Sequence, residues 1–370
     1  MSRTLSPRAL NRATLQRQLL LSRVVRPVGE VLEHLVGLQA QAPNAPYVGL
    51  WSRLANFAPQ ELADLITGRA AVRTTLMRAT IHLVTARDCH ALRPVIRPVV
   101  ERVFAGSVFA RKIADLDVDE LLAVGRKHLA EQPLTRAELG PLLARRWPGQ
   151  DVDALAYTIS YGLPLVQVPP RGVWGETGPA AWTPVESWLG PPAGPAADVD
   201  EVVLRYLAAF GPASTMDVQA WSGLTRLREV LERLRSRLHV FRDESGRELF
   251  DLPDAPRPDP DTPAPVRFLP EYDNVLLGHA DRSRFVLGKR PVVLFAGNGA
   301  TMGNLLLDGC YQGTWRTDRA RRGVTLFVDP FGPLSTQDAG EVVAEAGRLL
   351  AFLAADAVQT DVVINRPIER

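Results

Sequence analysis

The stretch Ala71-Val-Arg-Thr-Thr-Leu-Met-Arg-Ala-Thr-Ile-His-Leu-Val84 decides the fold. It is rich in β-branched residues and alternates in places, which predicts two paired strands. Helical spacing of apolar residues precedes it, over 6–23 behind a Ser6-Pro7 start signal, then over 31–38, 45–54 and 59–66, where Gly68 stops the run. Helices followed by a short hairpin is the order of a winged helix. A further helix over 91–109 is expected to be interrupted by Pro94 and Pro98.

The same order recurs downstream. Helices over 119–129, 135–147 and 151–163 lead to strands around Val166-Gln-Val168, Val173-Trp-Gly and Ala181-Trp-Thr. Thr135 with Glu138 has the spacing of a capping box. After the Pro/Gly-rich linker 190–197, helices over 199–210, 214–221 and 227–237 lead to a hairpin over 238–250, with Ser214 and Asp217 spaced as another cap. Beyond the Pro/Asp-rich linker 253–265 the chain becomes mainly β, with strands near 266–269, 292–295, 304–307, 312–316 and 324–328, a helix over 340–354 and a last strand near 358–364. The expected fold is α+β. Three tandem winged-helix units over 1–116, 117–190 and 198–255 are followed by a β-rich C-terminal region over 264–370 with one covering helix.

Gln39-Ala40-Gln41 stands just before the breaker cluster Pro43-Asn44-Ala45-Pro46. Val31, Leu32, Leu35, Val36 and Leu38 recur at helical spacing, and Gly37 with Pro43 predicts that the helix ends about where the glutamines stand. On a continuing helix the two amides would lie about 200° apart. They meet at one point only if the helix unwinds or turns there, and a solvated helix end is the plain alternative.

Bulk properties narrow the class. A chain of 370 residues has room for two to four domains. Hydrophobic content of 46%, charged content of 23% and a mean hydropathy of -0.03 describe a globular protein. The formal net charge is +2, so a nucleic-acid partner would be recognised through a local basic face rather than a global field. Lysine appears only as Lys112, Lys127 and Lys289, and arginine supplies the remaining positive charge, a bias read here as coding composition. Cys89 and Cys310 lie outside any CxxC or Cys/His pattern, which supports neither a disulfide framework nor a zinc site. With no apparent signal segment or bilayer-length apolar run, the expectation is a cytoplasmic monomer without metal, cofactor, membrane association or obligate protein partner.

Other motifs carry two readings each. Gly297-Asn-Gly-Ala-Thr-Met-Gly303 lacks phosphate-loop spacing and is followed by another strand, so it reads as a β-hairpin whose Asn298 and Thr301 are candidate DNA contacts. In Leu269-Pro-Glu-Tyr-Asp273 and His279-Ala-Asp281-Arg282, polar residues concentrate in an apolar context. His279 and Arg282 are candidate phosphate contacts, and an ion pair holding a loop is the alternative. His82, between Ile81 and Leu83, is read as a structural histidine against a catalytic role, and it is carried as a candidate DNA contact. Asp64 is the nearest carboxylate to the first unit that would assist a water, against a plain helix-surface role. No Ser/His/Asp order, P-loop or HExxH motif appears.

Taken together, Gln39-Ala-Gln41, Arg78-Ala-Thr-Ile-His-Leu-Val84, the three winged helices, Leu269-Pro-Glu-Tyr-Asp273 and His279-Ala-Asp-Arg282 resemble the bacterial AlkZ/YcaQ-like winged-helix DNA glycosylases over nearly the whole chain. The resemblance implies that Gln39 and Gln41 are catalytic. It also implies double-stranded DNA carrying alkylated or crosslinked purines as substrate, and a Gln-x-Gln type associated with self-resistance to azinomycin-like crosslinking agents. The chemistry is coherent with those residue types. An N7-alkylated guanine leaves as a neutral base and needs no strong general acid, while a glutamine amide both accepts and donates near a developing oxocarbenium ion. With no lysine near the motif, a water-using enzyme without lyase activity is expected. The competing reading is a non-enzymatic winged-helix regulator that recognises undamaged sequences.

Overall fold

The computed structural model describes residues 4–286, 302–321 and 323–367. Helix Pro7–Arg17 begins where Ser6 caps the Ala9 N–H and proline fills the first position. It stops at Arg17, short of the expected 23, and Leu19 takes a positive φ of 59°. The helix does not lie free on the surface, because Arg12 and Arg17 are buried against distant parts of the chain. Arg17 makes a two-pronged ion pair with Asp251, with Nη1–Oδ1 at 2.6 Å and Nη2–Oδ2 at 2.9 Å, and Arg12 bonds Asp308.

The expected hairpin forms from Ala71–Thr75 and Ile81–Thr85, antiparallel with Val72 opposite Val84 and Thr74 opposite His82. Helix Ala86–Ala105 then runs unbroken through Pro94 and Pro98, contrary to the expected interruption. Both prolines sit on the exposed side, and Leu92, Ile96, Val99 and Val100 bury the opposite face, so tertiary packing outweighs the two missing N–H bonds.

Helices Val118–Glu131, Arg136–Arg146 and Val152–Gly162 and strands Leu165–Val168 and Ala181–Pro184 follow in the expected order. The Thr135/Glu138 capping box is formed, with the Glu138 carboxylate accepting from the Thr135 N–H at 2.8 Å. Val173 and Trp174 lie in turns rather than in a strand; the Trp174 ring packs 4.9 Å from that of Tyr47 and 5.2 Å from that of Phe352. Helices Val199–Phe210, Thr215–Ser222 and Leu227–Leu234 and strands His239–Asp243 and Glu248–Asp251 repeat the pattern, with Ser214 and Asp217 forming their box.

The wings do not stand apart. The first and second join in one six-stranded sheet ordered Leu38–Gln39, Ile81–Thr85, Ala71–Thr75, Leu165–Val168, Ala181–Pro184, Leu134–Thr135. The seam is the antiparallel pairing of Arg73 with Gln167 and Thr74 with Val166. The third wing gains a parallel strand, Thr4–Leu5, with Thr4 opposite Arg242. In the C-terminal region, strands Arg267–Leu269, Gly303–Leu307, Cys310–Arg319, Gly323–Pro330 and Gln359–Ile364 make a five-stranded sheet. Helix Thr336–Leu353 covers it through Val342, Ala346, Leu349 and Leu350. These residues share one apolar core with Val31, Leu38 and Ala40, so the β-rich region backs directly onto the segment carrying the glutamines. The architecture is thus mixed α and β, with winged-helix element order ahead of a helix-covered sheet. Among the described residues, no helix is long and apolar enough to cross a membrane.

Candidate active site

Gln39 does not stand at a helix end. Helix Val28–His34 stops four residues earlier than the apolar spacing predicts. Val36 and Gly37 then take positive φ values of 55° and 86°, and the chain emerges as the short strand Leu38–Gln39. Gly37 is required there. A Cβ at that position would lie 2.6 Å from the Val84 Cγ1, on a backbone that side chains rarely adopt.

The strand pairs with the hairpin, Leu38 opposite Leu83 and Gln39 opposite His82, and the Ala40 N–H continues the ladder to the Ile81 carbonyl at 2.8 Å. Leu38 and Ala40 face the apolar core, Gln39 closes the strand, and Gln41 lies in the bend just beyond it, so neither amide sits on a helix.

Each glutamine carbonyl is fixed. The Gln39 Oε1 accepts from the Arg78 Nη2 at 2.7 Å, and the Gln41 Oε1 accepts from the Ile81 N–H at 3.2 Å. Gln39 is 7% exposed and Gln41 is open to solvent. Arg78 comes from the tight turn of the hairpin, where it and Ala79 hold φ values of 56° and 57°. Its other prong donates to the Trp221 carbonyl at the end of helix Thr215–Ser222, so one guanidinium ties Gln39 to the third unit. Burial, then the nearby Arg282 charge, lowers its pKa to about 10, which leaves it cationic at neutral pH.

Two further residues hold the strand from behind. Arg73 donates to the Ala40 carbonyl at 2.6 Å, and Asn274 donates to the Gly37 carbonyl at 2.9 Å. Asn274 follows Asp273, which makes a two-pronged, fully buried ion pair with Arg53 at 2.8 Å on each side. The Leu269–Asp273 motif is thereby scaffold beneath the glutamines. Arg73 and Arg78 lay inside the decisive hairpin sequence, but nothing in a linear pattern marks an arginine as buried.

The remaining candidates separate. His82 is 2% exposed, and its Nδ1 lies 3.0 Å from the Thr80 carbonyl. Burial, then Arg78, pushes its pKa down to about 3. His279 is also 2% exposed, packed among Tyr206, Phe210 and Phe285 with its Nε2 3.0 Å from the Phe210 carbonyl. Neither reaches the surface, which corrects the expectation of a DNA contact for both. Asp281 pairs with Arg247, the loop-holding alternative. Arg282 is half-buried beside Arg78, and its Nε has no hydrogen-bond partner among the described residues. Asp64 is an exposed helix residue accepting from Gln60 at 2.6 Å. Asn298, Thr301 and the strand expected near 292–295 lie outside the described residues.

Two amides are thus held by the first hairpin, one buried and one open to solvent, and the comparisons give them a setting. The chain matches the family described as DNA glycosylase AlkZ-like over residues 32–352. Among solved structures it is similar to the Streptomyces sahachiroi DNA glycosylase AlkZ, with a TM-score of 0.74 and 20% identity over 98% of this chain and 100% of that one. At that identity the likeness establishes a shared fold. No curated protein matches the chain. The family match spans Gln39, Gln41, the hairpin and most of the C-terminal sheet, and by it the chain belongs to the AlkZ-like family of DNA glycosylases.

Proposed function

We propose that this DNA glycosylase hydrolyses the N-glycosidic bond of cationic N7-alkylated purines in duplex DNA, bulky adducts and interstrand crosslinks included, with Gln39 and Gln41 as its catalytic residues. The observation that supports the reading is that both amides are held by the first hairpin, each carbonyl already anchored by a protein donor, Gln39 by the Arg78 guanidinium and Gln41 by the Ile81 N–H. A carbonyl oxygen has two lone pairs, so each glutamine retains one acceptor site and its NH2 donors. The free acceptors hold a water and face the positive charge that develops on the sugar. The water oxygen bonds C1′ as the C1′–N9 pair passes to the purine. That pair neutralises the N7 cation, and the proton leaves to solvent.

The leaving base carries its own activation, so activity tracks the cationic character of the lesion and uracil is a poor substrate. Among the described residues no hydrogen bond joins a lysine to either glutamine, which supports release without a Schiff base or strand cleavage. The half-buried Arg282 and arginines of the second and third units other than Arg136 are assigned to the DNA backbone.

The test uses duplexes carrying an N7-alkylguanine or an N7–N7 crosslink. Gln39→Ala and Gln41→Ala are each expected to slow abasic-site formation by about 10²- to 10³-fold, or roughly 2.7–4 kcal/mol, at unchanged DNA affinity. Absence of base release from both substrates, with tight binding to an undamaged sequence, would establish the winged-helix regulator instead.

A further inference from the structure

Beside Gln41 opens a cavity of about 270 Å³ between the first hairpin and the second helical unit. Arg73 and Gln167 line one side and Arg136, Tyr157 and Trp182 the other. We propose that this cavity is a receptor for the substituent on the purine N7, and that it selects planar, acceptor-bearing aromatic groups.

Three observations converge on that ligand class. The Arg136 guanidinium lies 4.0 Å from the centroid of the Tyr157 ring and 5.8 Å from that of Trp182, which makes a flat, polarisable wall. Its Nε is buried and has no hydrogen-bond acceptor among the described residues, a group that native interiors rarely leave unsatisfied and that a ligand carbonyl would satisfy. Arg73 spends its hydrogen bonds on the neutral oxygens of Gln167, at 3.2 Å, and Ala40. No carboxylate pairs with either arginine among the described residues, so the cavity favours electron-rich guests. Its volume falls just below the range of about 300–1,000 Å³ typical of small-molecule sites, room for a one- or two-ring substituent rather than a nucleotide.

The inference rests on the glutamine reading, because it is C1′ at Gln39 and Gln41 that brings the N7 substituent to the space beside Gln41. The two ideas use different residues. The cavity wall supplied by the second unit touches the substituent and not the reacting bond, so it governs which adducts are processed.

The experiment compares duplexes bearing N7-methylguanine and N7-phenacylguanine, an aryl ketone, for base release and for equilibrium binding. The wild-type protein is expected to favour the phenacyl adduct. Trp182→Ala and Arg136→Gln are expected to lose about tenfold on that adduct in kcat/KM and leave N7-methylguanine unchanged. Trp182→Phe, which keeps a ring, should restore the preference and show that the loss does not come from unfolding. Equal losses on both adducts, or none on either, would overturn the proposal. If no base is released from any duplex, the catalytic reading fails by itself; tighter wild-type binding of the phenacyl duplex, abolished in both variants, would still uphold the cavity, and equal binding would sink it.

Discussion

Arg78 places a full positive charge in the interior and surrounds it with neutral acceptors, the Gln39 amide and the Trp221 carbonyl. A charge-assisted hydrogen bond of this kind fixes which end of the Gln39 amide faces the guanidinium, so its NH2 points elsewhere. Arg78 acts through Gln39 and is a positioning residue. Arg78→Met is therefore expected to lower the single-turnover rate by about 10- to 100-fold, the equivalent of one hydrogen bond to a charged group, with DNA affinity held. Arg78→Lys, which retains one donor, should recover part of the rate. A purely structural role would lower the melting temperature in both variants without separating their rates. At this scale the sequence was informative about identity and silent about environment. The pairing of two glutamines around one apolar residue was legible, as was the hairpin that holds them. The burial of Arg73, His82 and His279 and the partners of Arg78 were not, because each depends on residues far away in the chain.

Among the elements, the strand Leu38–Gln39 was misread as a helix end, and the reason is physical. Over so short a span, Leu35, Val36 and Leu38 satisfy a helical period and an extended alternation equally well. What breaks the tie is the left-handed backbone at Val36 and Gly37, which is a property of the packed hairpin beneath it. The hairpins, capping boxes and covering helix were legible because each is signalled by neighbours within four residues. Helix Ala86–Ala105 was not, since its two prolines announce a break that its buried face overrides. Gly37→Ala tests the tie-breaker. The added methyl meets Val84 on a backbone costing about 1–3 kcal/mol, so both thermal stability and base release should fall. A variant with wild-type stability and rate would show that the strand tolerates another path.

At the level of the whole molecule, His82 in the first unit and His279, packed against the third, are both held neutral by burial, each with a pKa pushed down to about 3. In the unfolded chain both return to the ordinary histidine value of about 6.5. Below that value the unfolded state binds protons that the native state refuses. Stability is therefore complete above about pH 6.5 and declines as the pH falls toward 3, by up to about 1.4 kcal/mol per pH unit for each histidine. Urea titrations at pH 7 and pH 5 should show a lower midpoint at pH 5, and His82→Gln should reduce the difference. Equal midpoints would contradict the burial of the two rings. The order of three helical units was readable in advance, but their fusion was not: no local pattern reports that Arg73 pairs with Gln167 across the first two wings, or that Thr4 pairs with Arg242.

That last pairing has a bearing on how the chain is made. Thr4 and Leu5 leave the ribosome long before Arg242 and Asp243, the residues they pair with, and Arg17 waits equally for Asp251. At synthesis rates of about 5–20 residues per second the interval is roughly 12–48 seconds. Through that interval Thr4, Leu5 and the Arg17 guanidinium lack these native partners, so the third wing's extra strand cannot pair until its last hairpin has been made.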